Sequence, residues 1–421
     1  MKASTPTFIL LSTLLIACST KATSAQSVDP AIVNWIINTT GSTGSSVDAD
    51  MNELVSEILA DVEAVHYTDD AVYVTTSGVP SYSVGPFPDG NPAYASDVDA
   101  IYLIPRKPVA AQDGANEAVG LGTQGIFVNG VAVYNFGDGM SYNNQGIWNQ
   151  DANVFEFGGF DAAIGHPSPI RNEGGGGGPG GGGPGGGGPG GGGPGGGGPG
   201  DDGHGDDGHG DGGHGDDAGS TAGYYHHHQN PVFLRQQLGD DGSQHSPIIG
   251  FAFDGFPIYG PYGFDDPTES SSEIVRIESS FRLRDITERT TLADGTELAP
   301  ALHGPTLEEI ALGSYHEDYE FVAGLGHVDI HNGRFTVTPD YPDGTYAYFI
   351  TLGQDGSSAF PHMLGSTFYG ELASQREISI PDGATAYIVP EPSAYGILGG
   401  GAIMAISMSR RRRRRAKWPA A

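Results

Sequence analysis

The stretch HSPIIGFAFDGFPIYGPYG, residues 245–263, carries the pattern that decides the fold. Within it, 247–253 is a short run of β-branched, aromatic and small residues, and Asp254-Gly255 can close it as a turn. The same pattern recurs on both sides. Upstream, strands are expected at 71–76, 100–104, 125–136 and 154–157, with Gly, Pro and Asn between them. Downstream they are expected at 274–283, 334–338 and 345–352, near the turn pairs Asp294-Gly295, Asn332-Gly333 and Asp343-Gly344. Helical signals are few. Asp29-Pro30 can cap a short helix carrying Trp35, Ile36 and Ile37. Leu54, Ile58 and Leu59 have helical spacing within 52–62, and 301–312 offers one further helix. Many short strands and frequent turns predict a mainly β fold with a few short helices, sandwich- or barrel-like.

Composition narrows the function. The chain of 421 residues carries 51 acidic against 19 basic side chains. Nine of the basic residues lie at the ends: Lys2, Lys21, the six arginines from Arg410 to Arg415, and Lys417. What remains between the ends is strongly acidic and repels phosphate backbones, so nucleic-acid binding is excluded as a role. Such a surface suits an extracellular protein, or one that meets divalent cations. The single cysteine, Cys18, falls in the leader. Any metal site must therefore use His, Asp, Glu or backbone oxygens.

Both ends read as export signals. Met1 and Lys2 precede the apolar decapeptide FILLSTLLIA, residues 8–17, too short for a bilayer that takes roughly 20 residues. Thr23-Ser24-Ala25 offers a signal-peptidase site, giving a leader of residues 1–25, while Leu15-Ile16-Ala17-Cys18 also reads as a lipobox. At the other end, Val389-Pro390-Glu391-Pro392-Ser393 precedes an apolar segment, 394–409, and then six arginines. This arrangement over 389–415 resembles the PEP-CTERM sorting signal processed by exosortase-type enzymes. Sixteen helical residues would reach about 24 Å, with the arginines held at the cytoplasmic face. The tail implies a chain transiently anchored in the membrane and then released to the cell surface or matrix. Such tails accompany exopolysaccharide production in the systems they resemble, which makes exopolysaccharide an expected partner.

A low-complexity tract separates two halves. Prolines recur every five residues from Pro179 to Pro199 among glycines, and the period continues as DDGHG, DDGHG and DGGHG with His204, His209 and His214. No side chains there can build a core, so 172–220 is expected to be a disordered insert. Its His/Asp content suits weak capture of transition metals, or reflects replication slippage in a tolerant loop.

The other histidines are grouped. His166 stands in Gly165-His166-Pro167 before the insert; Tyr224-Tyr225-His226-His227-His228-Gln229 follows it, and then His245 and Asp254. With 225–229 extended, His226 and His228 project to one face and His227 to the other. Imidazoles two apart on a strand can share one ion at about 2.0–2.1 Å each. His166 and His245 are candidate third and fourth ligands, and Asp254 could add an oxygen or orient an imidazole. An all-His set with an optional carboxylate suits Zn²⁺ or Cu²⁺. Tyr224, Tyr225, Tyr259 and Tyr262 would supply surrounding hydroxyls. A hydrogen-bonded core network without metal, with Asp254-Gly255 as a plain turn, satisfies the same residues. His327 and His331, around Asp329 in GHVDIHNGR, read as loop geometry rather than ligation. Hydrolase signatures are missing: there is no GxSxG, HExxH or phosphate-binding loop.

These segments resemble the YHYH-domain proteins. The name motif falls on Tyr225, His226 and His228, with His227 where the motif has tyrosine. GIFVNGVAVYN (125–135), FDAAIGHPSP (160–169), the 245–263 run, 313–351 and FPHMLGSTFYG (360–370) extend the likeness from about Trp35 to Gly370. The resemblance implies one domain over 28–372 with the tract inserted into it, and it implies no reaction. Three roles follow for test: an exported metal-binding protein, a structural or adhesive matrix component without metal, and a metal-dependent extracellular enzyme.

Overall fold

The computed structural model describes residues 29–48, 50–88, 94–112, 114–169, 222–376 and 378–390. The expected leader over 1–25, the 172–220 tract and the expected sorting signal beyond Pro390, including 394–409, lie outside the described residues. Among the described residues no helix is long and apolar enough to cross a membrane.

The fold is mainly β, as the turn-rich pattern predicts. A nine-stranded mixed sheet runs in the order His166–Pro169, Ala222–His227, Ala132–Tyr134, Thr123–Phe127, Ile248–Ala252, Pro257–Tyr259, Thr345–Phe349, Gly333–Thr336, with Tyr94–Ala95 added alongside Ala222–His227. Its central strands Thr123–Phe127 and Ile248–Ala252 are buried at every position, and the second is the unbroken apolar run expected when both faces are covered. A second sheet has the order Thr385–Ala386, Val62–Tyr67, Ala71–Thr76, Ala100–Pro105. Ala100–Pro105 alternates buried and half-buried residues, the signature of a one-sided sheet. The two sheets share one hydrophobic cluster that reaches from Ala31 to Phe368. Tyr102 of the smaller sheet stacks on Phe253 just past the end of Ile248–Ala252, ring centroids 5.7 Å apart.

The expected strand 125–136 is a hairpin, Thr123–Phe127 turning back into Ala132–Tyr134. Asn129-Gly130 makes the turn, with Gly130 at φ 80° and its N–H donating to Phe127 O. A Cβ at Gly130 would lie 2.0 Å from Thr76 Oγ1, so this turn docks one sheet on the other through bare backbone. The 274–283 run likewise divides, into Ile274–Arg276 and Phe281–Leu283.

Three expectations from spacing are corrected. The 52–62 segment is a strand, Glu53–Leu59, paired with Thr43–Val47. The Asp48 side chain accepts from Asp50 N and Asn52 N and Met51 sits at φ 65°, a tight turn that leaves no room for a helical start. The 301–312 segment is not an α-helix; it holds one 3-10 turn, Pro300–Leu302, after which Gly304-Pro305 breaks the run. The 154–157 segment is not a strand. Asp151 accepts from Asn153 N at 2.8 Å and caps one helical turn, Ala152–Phe155. At the N-terminus, Asp29 caps Pro30–Val33 as anticipated, although Trp35, Ile36 and Ile37 fall beyond that helix.

Candidate metal centre

Register builds the site. Ala222–His227 pairs antiparallel with His166–Pro169, and His166 lies directly opposite His226. Opposed residues share a face, and so do residues two apart on one strand. His166, His226 and His228 therefore converge, while His227 turns to the other side. The fourth member, Glu156, ends the Asp151-capped turn as its C-cap residue. Glu156, His166, His226 and His228 each present one ligand atom, all within 4.8 Å of one another.

The distances fit a shared ion. His226 Nε2 and His228 Nε2 are 3.0 Å apart, and Glu156 Oε2 is 3.1 Å from His166 Nε2 and from His228 Nε2. Four ligands at about 2.0–2.1 Å in a tetrahedron are separated by roughly 3.3–3.4 Å. These three separations are within a few tenths of an ångström of ligand spacing, and no two of the four ligand atoms are more than 4.8 Å apart. The three histidines are at most 5% exposed; the Glu156 side chain is 29% exposed.

Tautomers decide what the close contacts are. His226 Nδ1 donates to Tyr224 O at 2.9 Å, and His228 Nδ1 donates to Asn135 O. A carbonyl only accepts, so both rings carry their proton on Nδ1. Their Nε2 atoms, 3.0 Å apart, are then two bare lone pairs facing each other. Only a cation between them, a proton or a metal ion, makes that arrangement favourable. Burial, reinforced by the neighbouring His166 and His228, pushes His226 well below the usual histidine range, which disfavours the proton. Despite their proximity, Glu156 Oε2 and His166 Nε2 are not aligned for hydrogen bonding, and neither has a hydrogen-bond partner. A buried polar atom left so costs about 1–3 kcal/mol; an ion at the centre of the four would satisfy both.

The surroundings hold the ligands still. Tyr134 stacks on the His226 ring, centroids 3.8 Å apart at 22°. Phe160 lies against His166 and His228, at 4.9 and 6.2 Å. The Asp161 carboxylate accepts from Gly85 N, Ala163 N, Gly165 N and Tyr225 Oη, fixing the loop that delivers His166.

The other sequence candidates are placed elsewhere. His245 packs between Tyr259 and Phe264, at 5.0 and 4.9 Å, and its Nδ1 donates to Ser246 O. Asp254 is fully buried and accepts from Tyr348 Oη, Gly370 N and Phe256 N, so it orders a turn and touches no imidazole. Neither belongs to the four-residue cluster. His227 is a satisfied core histidine: Nδ1 donates to Ile164 O and Nε2 accepts from Tyr82 Oη. His327 and His331 are tied into their loops, through Glu278 N and Thr367. Of the named tyrosines, Tyr225 bonds Asp161, Tyr259 bonds Thr338 and Asp340, and Tyr262 faces Arg235. Only Tyr224 stays near the cluster, packed on Tyr134.

Sequence reasoning missed Glu156 and Tyr134. The signal for Glu156 was Asp151-Ala-Asn-Val-Phe-Glu156, an N-cap residue whose one-turn helix delivers a carboxylate five positions on. Tyr134 carried no such signal: it reaches the cluster because Ala132, two residues before it, pairs with His226, a register that no local pattern encodes.

A family model described as YHYH protein matches residues 208–359. That span holds His226 and His228 and leaves out His166, which enters the cluster through strand pairing, and Glu156, which enters from the end of a helical turn. No curated protein and no solved structure matches the chain.

Proposed function

We propose that this chain binds one transition-metal ion, Zn²⁺ or Cu²⁺, through Glu156, His166, His226 and His228. We further propose that it does so outside the cell, as a surface- or matrix-associated protein. The observation that carries the metal reading is the pair of bare Nε2 lone pairs held 3.0 Å apart by backbone carbonyls behind each ring. Three imidazoles and a carboxylate form a donor set that these borderline metals favour over Mg²⁺ or Ca²⁺.

Elemental analysis of the full chain against a His226→Ala/His228→Ala variant tests it. Both proteins keep the same His204, His209 and His214, so adventitious uptake cancels in the difference. The expected difference is about one Zn or Cu per chain. Equal metal content in two folded proteins would overturn the reading and leave a proton-sharing network.

Export rests on the leader and on the Val389-to-Arg415 pattern. Signal peptidase and an exosortase-type enzyme would process the two ends, and exopolysaccharide is the proposed matrix partner. Intact-mass measurement of the chain from its native cells is expected to show both ends removed. A chain of full 43.7 kDa mass inside the cell would contradict export.

A further inference from the structure

Glu156 is the one proposed ligand that the sheet does not carry. It ends the turn Ala152–Phe155, so its carboxylate stands where that turn puts it. Asp151 opens the turn and gives its two oxygens different tasks. One accepts from Asn153 N at 2.8 Å and caps the turn; the other faces His362 Nε2 at 3.2 Å. An ionised carboxylate only accepts, so His362 carries its proton on Nε2, and its bare Nδ1 accepts from Ser358 Oγ at 2.9 Å. His362 comes from a segment 211 positions further along the chain. Both it and Asp151 are buried, so water does not compete for their bond. The His362 backbone lies in the left-handed region, at φ 71°, with its N–H donating to Ala359 O and its carbonyl accepting from Thr351 N. Residues with a Cβ seldom adopt that conformation, and here it is the one in which the imidazole meets Asp151.

Resting on the metal reading above, we propose that His362 is a positioning residue for the metal centre, acting on the ion through Asp151 and Glu156. By holding one oxygen of the Asp151 carboxylate it keeps the other on Asn153 N, and the capped turn presents Glu156. A single helical turn is far too short to persist by itself, so its cap matters more than a cap on a long helix. Asp151 N donating to Ser314 O and Ala152 N donating to Phe136 O anchor where the turn begins but leave its side-chain cap free to rotate. His166 and His226 stand on paired strands and His228 is tied to Asn135 O, so all three are placed without His362. Loss of His362 is therefore felt at one ligand of the four.

A double-mutant cycle on the full chain reads this coupling. Zn²⁺ affinity is measured by chelator competition, and Co²⁺ spectra are taken as differences from His226→Ala/His228→Ala, which cancels ions held by His204, His209 and His214. His362→Phe keeps a ring and removes both nitrogens. It should weaken Zn²⁺ about tenfold and change the visible Co²⁺ bands in the same sense as Glu156→Gln. His362→Gln keeps an N–H for Asp151 and should stay within about threefold of the wild type. In the Glu156→Gln background, His362→Phe should cost less than about twofold more, because the path runs through that carboxylate. Ser358→Ala, a milder change at a half-buried residue, should lose about threefold with Glu156 present and nothing without it, and it decides the matter if His362→Phe does not fold. A merely structural role would lower the unfolding midpoint and leave the affinity and spectrum of the folded protein unchanged. One ion bound at wild-type strength in these variants overturns this proposal alone, and so does a loss that Glu156→Gln leaves undiminished. Absence of an ion from the wild-type centre overturns the metal reading and this proposal together.

Discussion

Changing His226 and His228 together to alanine is expected to weaken Zn²⁺ binding at the centre by at least about a thousandfold. Structural zinc sites release about 10–16 kcal/mol over four ligands, so each ligand accounts for roughly 2.5–4 kcal/mol and two for more than the ~4 kcal/mol of a thousandfold change. The two histidines also lose their fixed Nδ1 donors to Tyr224 O and Asn135 O, and with them the orientation of the lone pairs. Affinity is read by competition with a chelator of known strength. Thermal unfolding supplies a second reading, because an ion that binds only the folded chain stabilises it by RT ln(1 + [L]/Kd), about 4 kcal/mol at a thousandfold excess over Kd. The wild-type midpoint should climb with Zn²⁺ and the variant's should not. Glu156→Gln separates charge from shape, since the amide keeps the side chain's volume but offers a neutral oxygen. It should lose roughly tenfold to a hundredfold, less than the double variant. A double variant that binds Zn²⁺ at wild-type strength would place the ion elsewhere in the chain.

The sheet was legible and its connections were not, for identifiable reasons. The all-buried strand Ile248–Ala252 announces itself through apolar β-branched and aromatic content, and so does Ala71–Thr76. Parity on Ala222–His227 correctly separated His226 and His228 from His227, because alternation is a property of one strand alone. The placing of His166 opposite His226 depends on register between segments separated by the 172–220 tract, and no local pattern encodes it. Glu156 was hidden by short-range ambiguity: Val154–Phe157 has the composition of a strand until Asp151 is recognised as a cap. Leu54, Ile58 and Leu59 misled in the opposite direction, since spacing of four and one fits a helix face as well as a strand exposed on both sides. His245 and Asp254 were drawn in by closeness in sequence to prolines and glycines, which says nothing of which way a buried side chain turns.

The second large effect concerns acid, and it comes from the histidine that faces away from the centre. His227 is fully buried, and burial pushes its pKa down to about 4 from 6.5, with its hydrogen bond to Ile164 O opposing. Above pH 6.5 the ring is neutral both folded and unfolded, and no stability depends on pH through it. Between pH 6.5 and 4 the unfolded chain takes up a proton that the folded chain refuses, so stability falls as pH falls. Below about 4 both forms are protonated and the slope ends. A gap of 2.5 units at about 1.36 kcal/mol each puts the loss at roughly 3 kcal/mol by pH 4. His227→Gln keeps a donor for Ile164 O and an acceptor for Tyr82 Oη without a proton to gain in this range. Urea unfolding of metal-free protein at pH 7 and pH 4 should therefore show the variant losing about 3 kcal/mol less than the wild type. His226 moves in the same direction and acts in both proteins, so it cancels in this comparison. Equal losses would mean that His227 is solvated or protonated in the folded chain. The loop from Asp161 to His166, which it braces through Ile164, would then be looser than its four bonds to the Asp161 carboxylate require.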